Sequence, residues 1–108
     1  MQQHPVIGER IVASIGGLAH LASVIRAEHE RWDGKGYPDG LLGEHIPLAS
    51  RVVFACDSFH AMTSDRPYRK AIGVRAALEE LQRNSGKQFD PSTVKALLDV
   101  VGDAQTDA

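Results

Sequence analysis

One cysteine, Cys56, occurs among the 108 residues, so no disulfide can form within the chain. An excess of positive charge is missing too, since the formal net charge is −2. That leaves no global basic field to hold duplex DNA or an anionic membrane, and any anionic ligand must be gripped by a local patch. No apolar run approaches the ~18–20 residues of a membrane span, and no signal peptide precedes the first helix. The expected location is therefore cytoplasmic. Strand-like alternation, internal repeats and low-complexity segments are absent, apart from a polar tail that begins at Gly102. The length bounds the chain to one domain, or part of one.

What is present is helical periodicity, and the expected fold class is all-α, a helical bundle of about five helices. Ile7, Ile11 and Ile15, with Val12 beside them, mark a first helix. Pro5 sits near its amino end, where a missing N–H costs nothing, and Gly16-Gly17 ends it. Leu18, Leu21, Ala22 and Ile25 carry a second helix over 18–31. A third begins after Pro47 and runs to about Met62, with Ala49, Val52, Val53, Cys56, Asp57 and His60 on one face. Beyond an arginine-rich connection, Val74, Ala77, Leu78 and Leu81 define a fourth, which Gly86 can terminate. Asp90 caps a fifth, with Pro91 at its first position and Val94, Leu97, Leu98 and Val101 as its buried face. Residues 1–101 form the domain and 102–108 the polar tail.

Three helices carry a metal-ligand residue type on the stripe that otherwise reads as core. His4 lies in line with Ile7, Ile11 and Ile15; Glu28 and His29 follow Ile25; Asp57 follows Val53. A carboxylate buried without a partner is costly, so such groups call for a metal, a mutual hydrogen bond or a shifted pKa. Mixed imidazole and carboxylate ligands suit iron, manganese or another first-row divalent metal rather than calcium. Taken alone, His4 reads as a hydrogen-bonded core residue, and Glu28 can equally pair with a nearby arginine. His20 and His45 have no such support and read as surface or loop residues. Past Glu28 and His29, Asp33-Gly34 and Gly36-Tyr37-Pro38-Asp39-Gly40 make a stiff loop that roofs the helix end. Asp33 is expected to form a turn there, and Trp32 and Tyr37 to pack the loop down before they serve any base. Asp65-Arg66-Pro67-Tyr68-Arg69-Lys70 is a stiff basic loop. It suits phosphate oxygens through the arginine fork, or else is a solvated charge run with an Asp65 to Arg66 pair.

The run Glu28-His29-Glu30-Arg31-Trp32-Asp33-Gly34-Lys35-Gly36-Tyr37-Pro38 resembles a family signature, His-His-Glu-x-x-Asp-Gly-x-Gly-Tyr-Pro. That is the signature of the HD-GYP family, metal-dependent phosphodiesterases of cyclic di-GMP and related cyclic dinucleotides. Glu28 stands where the first His of the doublet would be. The likeness continues through His4-Pro5-Val6-Ile7-Gly8, Ile46 to Val53, Thr63 to Lys70 and Ser85 to Pro91, about a hundred of the 108 residues.

The resemblance implies a partial HD-type phosphohydrolase domain. In the complete domain His4, Glu28, His29 and Asp57 would hold a divalent metal, iron or manganese, while Arg66 and Arg69 would hold the phosphates of a cyclic dinucleotide. Gly36, Tyr37 and Pro38 form the loop on which a signalling partner would dock. The negative charge of Glu28 would make such a site less favourable for an anionic phosphodiester. No His-Asp dipeptide occurs in the chain, so the family's naming doublet has no counterpart. The chain thus looks like the carboxyl-terminal two thirds of the domain. No catalytic residue is assigned within it, and no hydrolysis is expected of it alone. Apolar faces left uncovered on the helices at 18–31 and 48–62 would favour a homo-oligomer. The alternative is a degenerate, non-catalytic module that signals through protein or nucleotide binding.

Overall fold

The computed structural model describes the backbone of residues 4–107 and the side chains of residues 5–102. Five α-helices follow one another: α1 (His4–Ser14), α2 (Ala22–Arg26), α3 (Leu48–Thr63), α4 (Val74–Arg83) and α5 (Pro91–Asp107). Short 3₁₀ turns occupy Ala19–Leu21 and Gly43–His45. The described residues contain isolated backbone bridges but no strand, and no helix among them is long and apolar enough to cross a membrane. The all-α class is as the periodicity indicates.

The local signals of the second half translate directly. The spacing in α4 turns Ala77 and Leu81 wholly inward, while Arg75, Glu79, Gln82 and Arg83 stay exposed. Asp90 caps α5: its Oδ1 accepts the Ser92 N–H at 2.9 Å, and Pro91 takes the first helical position. Ala55, Leu81, Phe89 and Val94 then form a buried cluster between α3, α4 and α5, with Phe54, Phe59, Met62, Leu78, Leu97 and Leu98 packed around it. The helix of α5 carries on through Gly102 to Asp107, so the polar end of the chain is helical in its backbone.

Two expectations need correction. The second helix does not run over 18–31; it is a 3₁₀ turn followed by the five residues of α2, and Glu28 and His29 lie in the turn beyond it. The cause is competition for backbone hydrogen bonds. A longer helix would need the amides of Trp32 and Asp33, but these donate to Gln88 O at 3.1 Å and Lys87 O at 2.8 Å in the α4–α5 connection. The carbonyl of His29 is likewise used elsewhere, by Tyr37 N–H at 3.2 Å.

The second correction concerns which faces are inside. On α3 the buried residues are Ser50 and Ala55, whereas Val52, Cys56, Asp57 and His60 of the expected face are exposed. Ile7 and Ile11 on α1 are 52% and 56% exposed, and Ile15 just past its end is 46% exposed. Both helices are apolar on more than one side, and the side that becomes core is the one that meets a neighbour. For α3 those neighbours are α4 and α5, and α2 through Ser50, whose hydroxyl donates to Val24 O at 2.8 Å.

Candidate functional site

The loop after α2 is assembled by one buried carboxylate. Glu30 is 2% exposed, and its two oxygens accept the N–H groups of Asp39 and Leu41, each at 2.8 Å. Charge-assisted bonds of this kind are among the stronger polar contacts in a fold. They tie the far side of the loop to the turn that carries Glu28 and His29. Gly36 closes the near side by backbone contact. A Cβ there would lie 2.5 Å from Arg31 N and 2.6 Å from Glu30 Cα, and would also strike His29 O, so no larger residue fits. The Tyr37–Pro38 peptide bond is cis, and the Tyr37 ring stacks on the His29 imidazole with centroids 5.2 Å apart.

Arginines frame this loop. Arg26, at the end of α2, reaches Asp39 through Nε and Nη2 at 2.8 and 3.0 Å, and Glu9 of α1 through Nη1 at 2.9 Å. The pairing holds the Asp39 carboxyl below its usual range. Asp33 forms the expected turn: its Oδ1 accepts Lys35 N–H at 3.1 Å and its two oxygens bind the Arg31 fork. Partial burial pushes the Asp33 carboxyl upward, but the Arg31 fork and the Lys35 N–H outweigh it and leave the group on the acidic side of its ordinary value. Trp32 packs as expected, with the Arg51 guanidinium 5.7 Å from its ring centroid.

The expected metal ligands are distributed as follows. Glu28 and His29 are half-buried in the turn below the loop, and Asp57 is exposed on α3. The side chain of His4 lies outside the described residues. Among the described residues no three His, Cys, Asp or Glu side chains converge closely enough to hold an ion. The described donors do not make a metal centre by themselves. His20 and His45 are exposed, as expected.

The basic segment is a tight hairpin. Arg66 N–H donates to Arg69 O at 2.7 Å and Arg69 N–H to Arg66 O at 3.1 Å, leaving Pro67 and Tyr68 at the tip. Asp65 does not pair with Arg66; its Oδ1 accepts Ala71 N–H at 2.8 Å and clamps the hairpin base. Arg69 spends one guanidinium donor on Ala61 O at 3.1 Å, at the end of α3. Arg66 Nε is buried and has no acceptor among the described residues.

Sequence reasoning did not single out Glu30 or Arg26. Glu30 was legible as the third residue of the signature, but its burial depends on the returning loop. Arg26 carried no local signal.

Residues 1–93 match the family model of the HD domain, and the chain belongs to that family. It is 46% identical over 100 residues to the cyclic di-GMP phosphodiesterase response regulator RpfG of Xanthomonas campestris pv. campestris, covering 91% of this chain and 26% of that protein. A cyclic di-GMP phosphodiesterase of Thermotoga maritima is 42% identical over 100 residues, covering 91% and 27%. The crystal structure of a cyclic GMP-AMP specific phosphodiesterase of Vibrio cholerae superposes with a TM-score of 0.82 at 26% identity, over 96% of this chain and 24% of that one. The chain thus spans about a quarter of the length of the relatives it matches. The HD-GYP resemblance seen in residues 28–38 accords with all three.

Proposed function

We propose that this chain is part of an HD-GYP phosphodiesterase domain that acts on cyclic di-GMP or a related cyclic dinucleotide, with Arg66 and Arg69 holding its phosphates. The observation that carries the reading is the closed hairpin that sets Arg66 and Arg69 on either side of its two-residue tip, in a chain 46% identical over 100 residues to a cyclic di-GMP phosphodiesterase. In this reading His4, Glu28, His29 and Asp57 contribute donors to a divalent centre, iron or manganese, completed by residues beyond the described ones. The metal would polarise the phosphoryl group and activate water in the complete protein. The chain's own described residues do the binding: the hairpin presents two cations at fixed spacing, and the roofing loop shelters the His29 side of the site. The reading includes a cytoplasmic location and self-association of the isolated chain. The latter is supported by the open apolar faces at Ile7, Ile11 and Ile15 and at Leu48, Val52 and Val100.

The test separates binding from turnover. With manganese present, the isolated chain should bind cyclic di-GMP in equilibrium dialysis yet hydrolyse none above blank. Arg66→Ala should weaken binding about tenfold or more, the loss expected for a charged hydrogen bond. Binding indifferent to Arg66→Ala would defeat the phosphate assignment.

A second reading, a non-catalytic module in signalling, is favoured by one feature. Glu28 replaces an imidazole of the signature while the loop at Gly36, Tyr37 and Pro38 is firmly built, as a docking surface for a signalling domain requires. Metal analysis of the full-length protein decides between the two, since a docking module retains its loop without retaining metal.

A further inference from the structure

Three aromatic side chains lie outside the phenylalanine core, and two of them are engaged. Trp32 carries the Arg51 guanidinium over its ring, and Tyr37 is stacked on His29. Tyr68 is different: it is 82% exposed and has no ring contact among the described residues. It sits at the tip of a hairpin that is closed by two backbone bonds. The same hairpin is clamped at its base by Asp65, held to α3 by Arg69, and continued by the Ile72 N–H bond to Met62 O at 2.9 Å. Pro67 restricts the residue before it and fixes its own φ. The hairpin so held leaves the Tyr68 ring exposed at its tip.

We propose that Tyr68 is the base platform of the site, stacking one nucleobase of the cyclic dinucleotide whose phosphate is held by Arg66. The inference rests on the phosphate assignment above and adds the part of the ligand that discriminates a nucleotide from a bare phosphate. Two physical points support it. Stacking on an aromatic face accepts any base, and the hairpin sets an arginine on each side of the two-residue tip that carries the ring. Tyrosine also loses little conformational freedom on stacking, because only two side-chain torsions remain and the backbone beneath them is already fixed.

The experiment titrates the 108-residue chain with guanosine 5′-monophosphate, ribose 5-phosphate and inorganic phosphate, following the Tyr68 ring protons by NMR. The wild type should bind the nucleotide about tenfold more tightly than ribose 5-phosphate, the gain of one stacked base, and the Tyr68 ring signals should move upfield. Tyr68→Ala should erase that difference while leaving ribose 5-phosphate affinity unchanged, and Tyr68→Phe should preserve it. Arg66→Ala should weaken both ligands by the same factor. A base preference that survives Tyr68→Ala, or nucleotide binding that leaves the Tyr68 ring signals still, overturns the platform and leaves Arg66 in place. Phosphate ligands that bind equally with and without Arg66 overturn the phosphate assignment itself, and the platform with it.

Discussion

Replacing Arg51 by alanine is expected to lower the unfolding free energy by about 3–5 kcal/mol, the cost of removing one partner from a buried ion pair. Arg51 Nη1 donates to Asp90 Oδ2 at 2.8 Å, with the two side chains 15% and 2% exposed. Its Nε donates to Ile46 O at 3.0 Å, and its guanidinium covers Trp32. One side chain therefore joins α3, the amino end of α5, the turn before α3 and the loop at Trp32. Without it Asp90 remains a buried anion at the cap of α5, supported by Ser92 and Thr93 alone. Asp90→Asn is the milder probe, since it keeps the shape and removes the charge. Burial pushes the Asp90 carboxyl upward, but the Ser92 bonds, the Arg51 guanidinium and the Thr93 hydroxyl outweigh it, and the group ionises below the ordinary aspartate value of 3.8. A carboxyl held low when folded adds stability above its unfolded pKa and loses that contribution as the pH falls through its folded pKa. Urea midpoints of the wild type should therefore drop below about pH 4 more steeply than those of Asp90→Asn. Parallel curves for the two proteins, or an Arg51→Ala variant within 1 kcal/mol of wild type, would show that the pair is bystander packing.

Much of this fold was legible because its signals are local. Asp90-Pro91 announces a helix start whatever surrounds it, and the spacing of Val74, Ala77, Leu78 and Leu81 admits one buried side. Pro67 between two arginines marked a stiff turn, and the structure closes it as a hairpin. What was not legible depended on partners distant in the chain. The length of α2 turned on whether the amides of Trp32 and Asp33 would be claimed by carbonyls of Gln88 and Lys87. The inward face of α3 turned on the packing of α4 and α5, so a stripe that included Val52, Cys56 and Asp57 was real in its spacing and exposed in fact. The same limit governs the candidate site. Residue types named the chemistry of Glu28, His29 and Asp57, but convergence is a tertiary property, and among the described residues the three-donor cluster does not form. Glu30 shows the reverse case, a polar residue whose weight appears only when the loop returns to it.

Gly36→Ala is the second large effect, and it should be far more damaging than Gly34→Ala two residues away. Gly34 has a φ of +81°, so alanine there costs about 1–2 kcal/mol of backbone strain. The nearest side-chain atom, Leu42 Cδ1 at 3.3 Å, can shift aside. Gly36 needs no unusual φ; its constraint is space. The atoms a Cβ would meet, His29 O, Arg31 N and Glu30 Cα, are all backbone, and no rotamer change moves them. Relief requires the loop to lift from the turn. Lifting it breaks the Tyr37 N–H bond to His29 O, separates the Tyr37 and His29 rings, and pulls Asp39 and Leu41 from the Glu30 carboxylate. The expected cost is about 3 kcal/mol, the upper end for an overpacked site. It should appear as local opening, because the cluster around Leu81 and Phe89 lies elsewhere. Hydrogen exchange separates the outcomes. In Gly36→Ala the amides of Tyr37, Asp39 and Leu41 should lose protection together, while those inside α4 and α5 keep theirs. Glu30→Ala should release Asp39 and Leu41 but leave Tyr37 bonded. If Gly36→Ala instead keeps all three amides protected and melts with the wild type, the loop can yield at its backbone, and the close approach of Gly36 is not what holds the roof over His29.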